Sequence, residues 1–224
     1  MTRILAFDVN ETLLDLKPLD GPFEALFGTA KLRPQWFGQM LQLSFVGGLT
    51  GAYVDFTTAQ RAALRMLAQR EGVSLTEEQV EETVGLMASL PPHPEVPAAL
   101  RRLADTPLRL VALTNSVEEV AERQLRHAGI RDLFDRVMSA HAVRRLKPAP
   151  EPYHAVAAAF GVPPAEVRLV AAHSWDVTGA LQAGCKAAFV RRPGAVLSPI
   201  GPQPDIVAGN IGDIADLVIE RDCR

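Results

Sequence analysis

Short, nearly unbroken apolar runs recur along the chain, and a helical period follows most of them. The runs occupy residues 3–9, 108–115, 167–173 and 187–191, with a weaker one at 205–208. They are apolar at successive positions, which is the pattern of strands covered on both faces in a parallel sheet. Helical patterns fill residues 117–128, 151–160 and 178–183, and Gly129, Gly161 and Gly184 stand just beyond them. Glycine at that place supplies the left-handed residue that ends a helix. Strand–helix alternation predicts right-handed crossovers and an α/β fold, a doubly wound, Rossmann-like parallel sheet.

Residues 17–91 interrupt this rhythm. They contain no buried-strand pattern and instead predict helices over residues 21–26, 34–45, 57–71 and 76–89, with Ser74 or Thr76 as N-cap of the last. Pro91, Pro92 and Pro94 around His93 then predict a stiff linker. The expected organisation is a core of residues 1–16 and 92–224 with an inserted helical cap of residues 17–91. An insertion directly after the first strand lies at that strand's carboxyl end, where open α/β sheets bind ligands and where a lid excludes water. The proline-rich residues 193–204 are expected to form a surface loop, and the chain has no internal repeat.

Composition narrows the partners. The chain has 224 residues, 48% hydrophobic and 22% charged, with a formal net charge of −3. That balance fills a core and offers no field for nucleic acid or an anionic membrane. No apolar run has bilayer-spanning length, and the two cysteines, Cys185 and Cys223, have no metal-ligand spacing. A cytoplasmic protein is expected.

Chemistry gathers at the strand ends. Asp8 follows the first run in Asp8-Val-Asn-Glu-Thr12, and Thr114-Asn115-Ser116 closes the second. Lys147-Pro148 precedes a helix, and His173-Ser-Trp-Asp176 follows the fourth motif's strand. Together they offer a carboxylate nucleophile, hydroxyl and amide donors, a fixed cation and a second carboxylate. Any one is a common string; four in this order, each after a strand, form a specific pattern.

That pattern resembles the haloacid dehalogenase superfamily over essentially the whole chain. Within it, Trp175-Asp176 with Gly179-Ala180 and the size of the helical cap are most similar to the type II (L-2-haloacid) dehalogenases. The resemblance implies that Asp8 attacks a substrate carbon to form an ester, which water then hydrolyses. Lys147 would hold Asp8 ionised. Thr114 and Asn115 would donate to the nucleophile or the substrate carboxylate, and Asp176, paired with Lys147, would orient the water. Asn10, Glu11, Phe37, His173 and Trp175 would line the substrate pocket. A small anionic substrate such as a short 2-haloacid and a homodimeric state are implied as well.

Departures from the family pattern sharpen the expectation. Superfamily phosphatases carry an acid at the place of Asn10 and a magnesium-binding Asp near Ala171 or Ala172, so a reaction at carbon without cofactor is favoured. The alternatives are a magnesium-dependent phosphatase, with the ion at Asp8, the Asn10 backbone and Asp176, or a decayed hydrolase core that only binds. Type II dehalogenases place an aromatic residue at Asn10, Gly at Glu11, and at Phe37 a cap Arg that meets the halide. Arg33 and Arg61 are the nearest replacements, and neither is expected to reach the pocket. His173 replaces an Asn and can donate when protonated. Thr12 is expected to bind loop backbone, Asp176 also to suit a helix cap near Val177, and Arg191 and Arg192 to be solvated.

Overall fold

The computed structural model describes residues 2–223. Six strands, β1 (Ile4–Phe7), β2 (Arg109–Thr114), β3 (Arg136–Ser139), β4 (Val167–Ala171), β5 (Lys186–Val190) and β6 (Ile206–Ala208), form one sheet in the order β3-β2-β1-β4-β5-β6. Every pairing is parallel. This is the doubly wound order, with the chain reversing direction between β1 and β4.

Alternate side chains of each strand enter opposite layers, as the two-residue period requires. Ile4 and Ala6 of β1 join Val111, Leu113, Leu169 and Phe189 on one face. Leu5 and Phe7 join Leu110, Ala112, Val170 and Ala188 on the other. Helices α7 (Pro150–Ala159) and α8 (Ser174–Gln182) cover the first face through Tyr153, Val156, Val177 and Ala180. The second is covered by α5 (Val96–Ala104), α6 (Glu118–His127) and α9 (Ile211–Asp222).

Between β1 and α5 run α1 (Asp20–Phe27), α2 (Arg33–Thr50), α3 (Phe56–Glu71) and α4 (Glu77–Gly85). Thr76 and Gln79 close a reciprocal capping box that starts α4. Buried Phe23, Trp36, Met40, Leu64 and Leu67 of this insertion are continuous with the core on Leu5 and Phe7. The Trp36 indole N–H is satisfied by the Gln60 carbonyl at 3.0 Å. The two chain passages at the root of the insertion pair with each other. Asp15 N donates to Pro91 O at 2.8 Å and His93 N to Leu13 O at 2.9 Å, so the prolines near residue 91 lie in a bridged passage as well as a stiff one. Among the described residues, no helix is long and apolar enough to cross a membrane.

Candidate active site

The four motifs meet at the carboxyl ends of β1, β2 and β4. Asp8 follows β1 directly, and its backbone N–H is held by Val170 O at 3.0 Å. Lys147, wholly buried, lies between two carboxylates: its ammonium is 2.9 Å from Asp8 Oδ1 and 2.5 Å from Asp176 Oδ2. Thr12 donates to Asp8 Oδ2 at 2.6 Å and accepts from Ala172 N at 2.9 Å. Its hydroxyl therefore touches the Asp8 carboxylate directly as well as loop backbone.

Electrostatics follow from that arrangement. Burial alone drives the Asp8 carboxyl up. The Lys147 ammonium, the His173 hydrogen bond and charge, and the Thr12 hydroxyl outweigh it, and the pKa falls below the ordinary carboxylate range. Burial opposes the Lys147 charge, but Asp176 and Asp8 raise its pKa above the usual value. Burial and the nearby Asp8 charge push Asp176 up against Lys147 and Tyr153.

Asp176 lies in the first turn of α8, so the helix begins before the residue expected to cap it. Both its oxygens are engaged: Lys147 holds Oδ2, and the Tyr153 hydroxyl donates to Oδ1 at 2.5 Å. Tyr153 is a participant the motif reading passes over, because a tyrosine on the buried face of a helix reads as packing. Gly179 makes the contact possible. A Cβ there would lie 2.7 Å from the Tyr153 hydroxyl and 2.6 Å from Pro148 Cβ.

Thr114 and Asn115 are placed differently from expectation. The Thr114 hydroxyl accepts from Ser116 N at 3.1 Å within its own turn. The Asn115 side chain grips the backbone of Lys147 on both sides. Neither is hydrogen-bonded to Asp8 in this geometry; buried strand-end polar groups have satisfied one another. Asn10 also departs from the pocket expected for it. Its side chain turns into the core, donating to Ser116 Oγ at 3.4 Å and accepting from Gln124 Nε2 at 2.9 Å.

A cleft of about 390 Å³ is lined by Glu11, Arg33, Phe37, His173, Trp175 and Arg192, among others. Asp8 does not line it; His173 links the two. Its Nδ1 is 3.1 Å from Asp8 Oδ2 and its Nε2 is 2.8 Å from Glu11 Oε2. The imidazole lies between the rings of Phe37 (centroids 5.7 Å, 14° between planes) and Trp175 (5.1 Å, 24°). Burial would lower the His173 pKa, but hydrogen bonds and charge from Asp8 and Glu11 raise it to about 10. The ring is an imidazolium at neutral pH, and stacking on two π faces suits a cation. Glu11 reaches it from a left-handed backbone, φ 60°.

Two arginines are corrected by the geometry. Arg33 does reach the cleft: it starts α2 with its guanidinium 3.8 Å from Glu11 and 2.6 Å from Asp20. Arg61 pairs with Glu81 on the surface instead. Arg192 is not solvated; its guanidinium donates to Thr12 O at 2.8 Å and pairs with Glu95 at 2.7 Å. A larger cavity of about 560 Å³, between α1 and α4 near Pro22, Leu26 and Leu86, contains none of the Asp8 cluster.

A magnesium ion does not fit these residues. Among the described residues no cluster of three His, Cys, Asp or Glu side chains could hold a metal ion, and Asp8 Oδ1 and Asp176 Oδ2 are both held by the Lys147 ammonium. The set lacks the oxygen ligands such an ion needs.

A family model for haloacid dehalogenase-like hydrolases matches residues 2–184. The chain belongs to that family. Among relatives of this haloacid dehalogenase-like hydrolase, an (S)-2-haloacid dehalogenase of Xanthobacter autotrophicus is 31% identical over 216 residues, covering 96% of this chain and 83% of the relative. An (S)-2-haloacid dehalogenase of Pseudomonas sp. (strain YL) is 28% identical over 215 residues, covering 95% and 93%. The solved L-2-haloacid dehalogenase from Xanthobacter autotrophicus with chloropropionic acid covalently bound superposes with a TM-score of 0.92. It is 28% identical and covers 99% of this chain and 100% of that one. Family membership makes the protein a hydrolase built on the superfamily's α/β core.

Proposed function

We propose that this hydrolase is an (S)-2-haloacid dehalogenase that works through an ester on Asp8. One observation carries the reading: a buried, ionised Asp8 carboxylate is held at the strand end by Lys147 and Thr12, beside a cleft edged with arginine and imidazolium. The curated relatives of this size with carbon–halide activity support it.

In the first step an Asp8 oxygen attacks C2 of the substrate. The carbon–oxygen bond forms as the carbon–halogen bond breaks, and the halide leaves with the bonding pair. Lys147 keeps the carboxylate charged in a site with little water, which makes it nucleophilic. In the second step water attacks the Asp8 carbonyl carbon and releases a 2-hydroxy acid, with one proton liberated overall. Asp176 and Tyr153 act on Lys147 by fixing it. Asn115 fixes the same residue from its backbone side.

The cationic edge of the cleft, Arg33 and Arg192, suits a short carboxylate substrate. With Phe37 at the place of the cap arginine, Arg33 is a cleft-lining guanidinium of α2 that can meet a halide. Residues 17–91 serve as the cap over residues 1–16 and 92–224. A cytoplasmic homodimer fits the two unpaired cysteines and the exposed Val46 and Leu49 of α2.

Halide release from a panel of short 2-haloacids tests this reading. Release that persists with chelator and disappears in Asp8→Asn is expected. No halide from any member of the panel overturns it.

A further inference from the structure

We propose that His173, oriented by Glu11, is the general base that activates water against the Asp8 ester. The inference rests on Asp8 being the nucleophile.

Asp176 is poorly placed for that task here. Its side chain has no exposure, and Lys147 and Tyr153 occupy its two oxygens. His173 is the one titratable side chain among the described residues that both lines the cleft and hydrogen-bonds Asp8. Its side chain is 12% exposed, enough to meet water from the cleft. Glu11 on Nε2 fixes the ring so that Nδ1 faces Asp8, the orientation a carboxylate gives to a catalytic histidine. The Phe37 and Trp175 faces leave the ring free only along its edges.

Esterification itself changes the state of the histidine. Before reaction His173 faces two carboxylates, Asp8 and Glu11, and is protonated. When Asp8 becomes an ester, one of those negative charges is lost. The surrounding groups are then Glu11, whose charge Arg33 shares, and the Lys147–Asp176 pair, with the Lys147 ammonium 5.9 Å from the Trp175 ring centroid. Loss of the Asp8 charge favours release of the imidazolium proton through the cleft. Neutral His173 then takes a proton from water as the oxygen adds to the Asp8 carbonyl carbon. Collapse expels the substrate oxygen, which takes that proton from His173 and leaves as the hydroxyl of the product. The Asp8 carboxyl passes its own proton to His173, restoring the starting ion pair. One water is consumed, and one halide and one proton are released.

The test is pre-steady-state turnover of (S)-2-chloropropionate, reading chloride and intact-protein mass together. Wild type releases chloride continuously with little ester. His173→Asn is expected to release about one chloride per site and then stall with the ester on Asp8, its breakdown slowed roughly 10²- to 10⁴-fold. His173→Ala should stall likewise and regain turnover when imidazole is added. Glu11→Gln should slow the same step while leaving the chloride burst. If His173→Asn does not fold, the Glu11→Gln ester decides. Steady-state turnover within about threefold of wild type in the histidine variants, or loss of the burst itself, overturns the assignment. Absence of chloride from wild type overturns the dehalogenase reading instead, and the inference with it.

Discussion

Asn115 holds Lys147 by both polar groups of its backbone: Oδ1 accepts from Lys147 N at 2.8 Å, and Nδ2 donates to Lys147 O at 3.2 Å. The end of β2 thereby sets where the ammonium stands between Asp8 and Asp176. Asn115→Ala leaves two buried backbone groups unpaired. A loss of about 1–3 kcal/mol in stability is expected, with activity lower by on the order of 100-fold because Lys147 drifts. Urea denaturation and initial rates of halide release check the two parts separately. Unchanged activity with reduced stability would mean that Asn115 serves the fold alone.

Removing the cation itself is more severe. Lys147→Met leaves Asp8 and Asp176 buried near each other without the charge that separates them. Breaking a buried pair in this way costs about 3–5 kcal/mol. Without the ammonium Asp176 rises further above its ordinary value, while the His173 charge and the Thr12 hydroxyl still hold Asp8 down, so the variant should lose less stability than wild type as pH falls. Wild-type Asp8 has the sign opposite to Asp176: its depressed pKa contributes stability that is present above the unfolded value of 3.8 and lost as pH falls below it. A shallower loss of stability toward acid in the variant than in wild type is the expected result.

His173 supplies a slope at the alkaline end. Its folded pKa, about 10, lies above the unfolded 6.5, so its contribution is complete below pH 6.5 and is lost as pH rises through 10. Wild type should lose stability across that window at up to about 1.4 kcal/mol per pH unit. His173→Gln should show a flatter profile there. Thermal denaturation of both proteins from pH 6 to pH 10 measures the difference, and parallel profiles would show that the imidazole is not charged in the folded state.

Gly179 tests the packing behind Asp176. An added methyl would meet Pro148 O and the Tyr153 hydroxyl at 2.7 Å, and Pro148 is bonded directly to Lys147. Gly179→Ala is expected to destabilise by about 1–3 kcal/mol through overpacking and to displace Tyr153 from Asp176. Tyr153→Phe keeps the packing and removes only the hydroxyl. If Tyr153→Phe and Gly179→Ala lower activity alike, the hydrogen bond is the common cause; if Gly179→Ala alone does, the backbone of the Lys147 turn is.

The sequence pattern makes the central sheet legible for a physical reason. β1, β2 and β4 are buried on both faces, so their apolar runs are unbroken apart from a few strand-terminal polar groups. The edge strand β3 reads Arg-Val-Met-Ser with an exposed first residue, too short and mixed to stand out. In the site, Asp8, Lys147 and Asp176 are legible as motif positions because each sits at a fixed place after a strand. The directions of neighbouring side chains are not. Asn10 turns into the core because Ser116 and Gln124 offer its amide partners there. Glu11 turns to His173 because its backbone is left-handed, which no spacing reveals. Arg33 reaches the cleft only because α2 starts beside Glu11 and Asp20.

The opposite end of β4 carries a second buried cation with a different task. Arg168 is fully buried, its guanidinium 2.7 Å from Asp222 at the end of α9 and 2.5 Å from Asp205 before β6. Thr2 also donates to Asp222, at 2.8 Å. These contacts fasten α9 and β6 to the sheet far along β4 from Asp8, so they should govern stability without touching chemistry. Asp222→Ala leaves half-exposed Asp205 as the one carboxylate paired with Arg168, beside the Ala187 carbonyl, and a loss of about 3–5 kcal/mol is expected. Arg168→Leu with Asp222→Leu removes both charges and should recover much of that loss, because an uncompensated buried charge, not a missing attraction, dominates the penalty. Chemical denaturation of the single and double variants gives the coupling. Near-additive single losses would show instead that the two residues act independently.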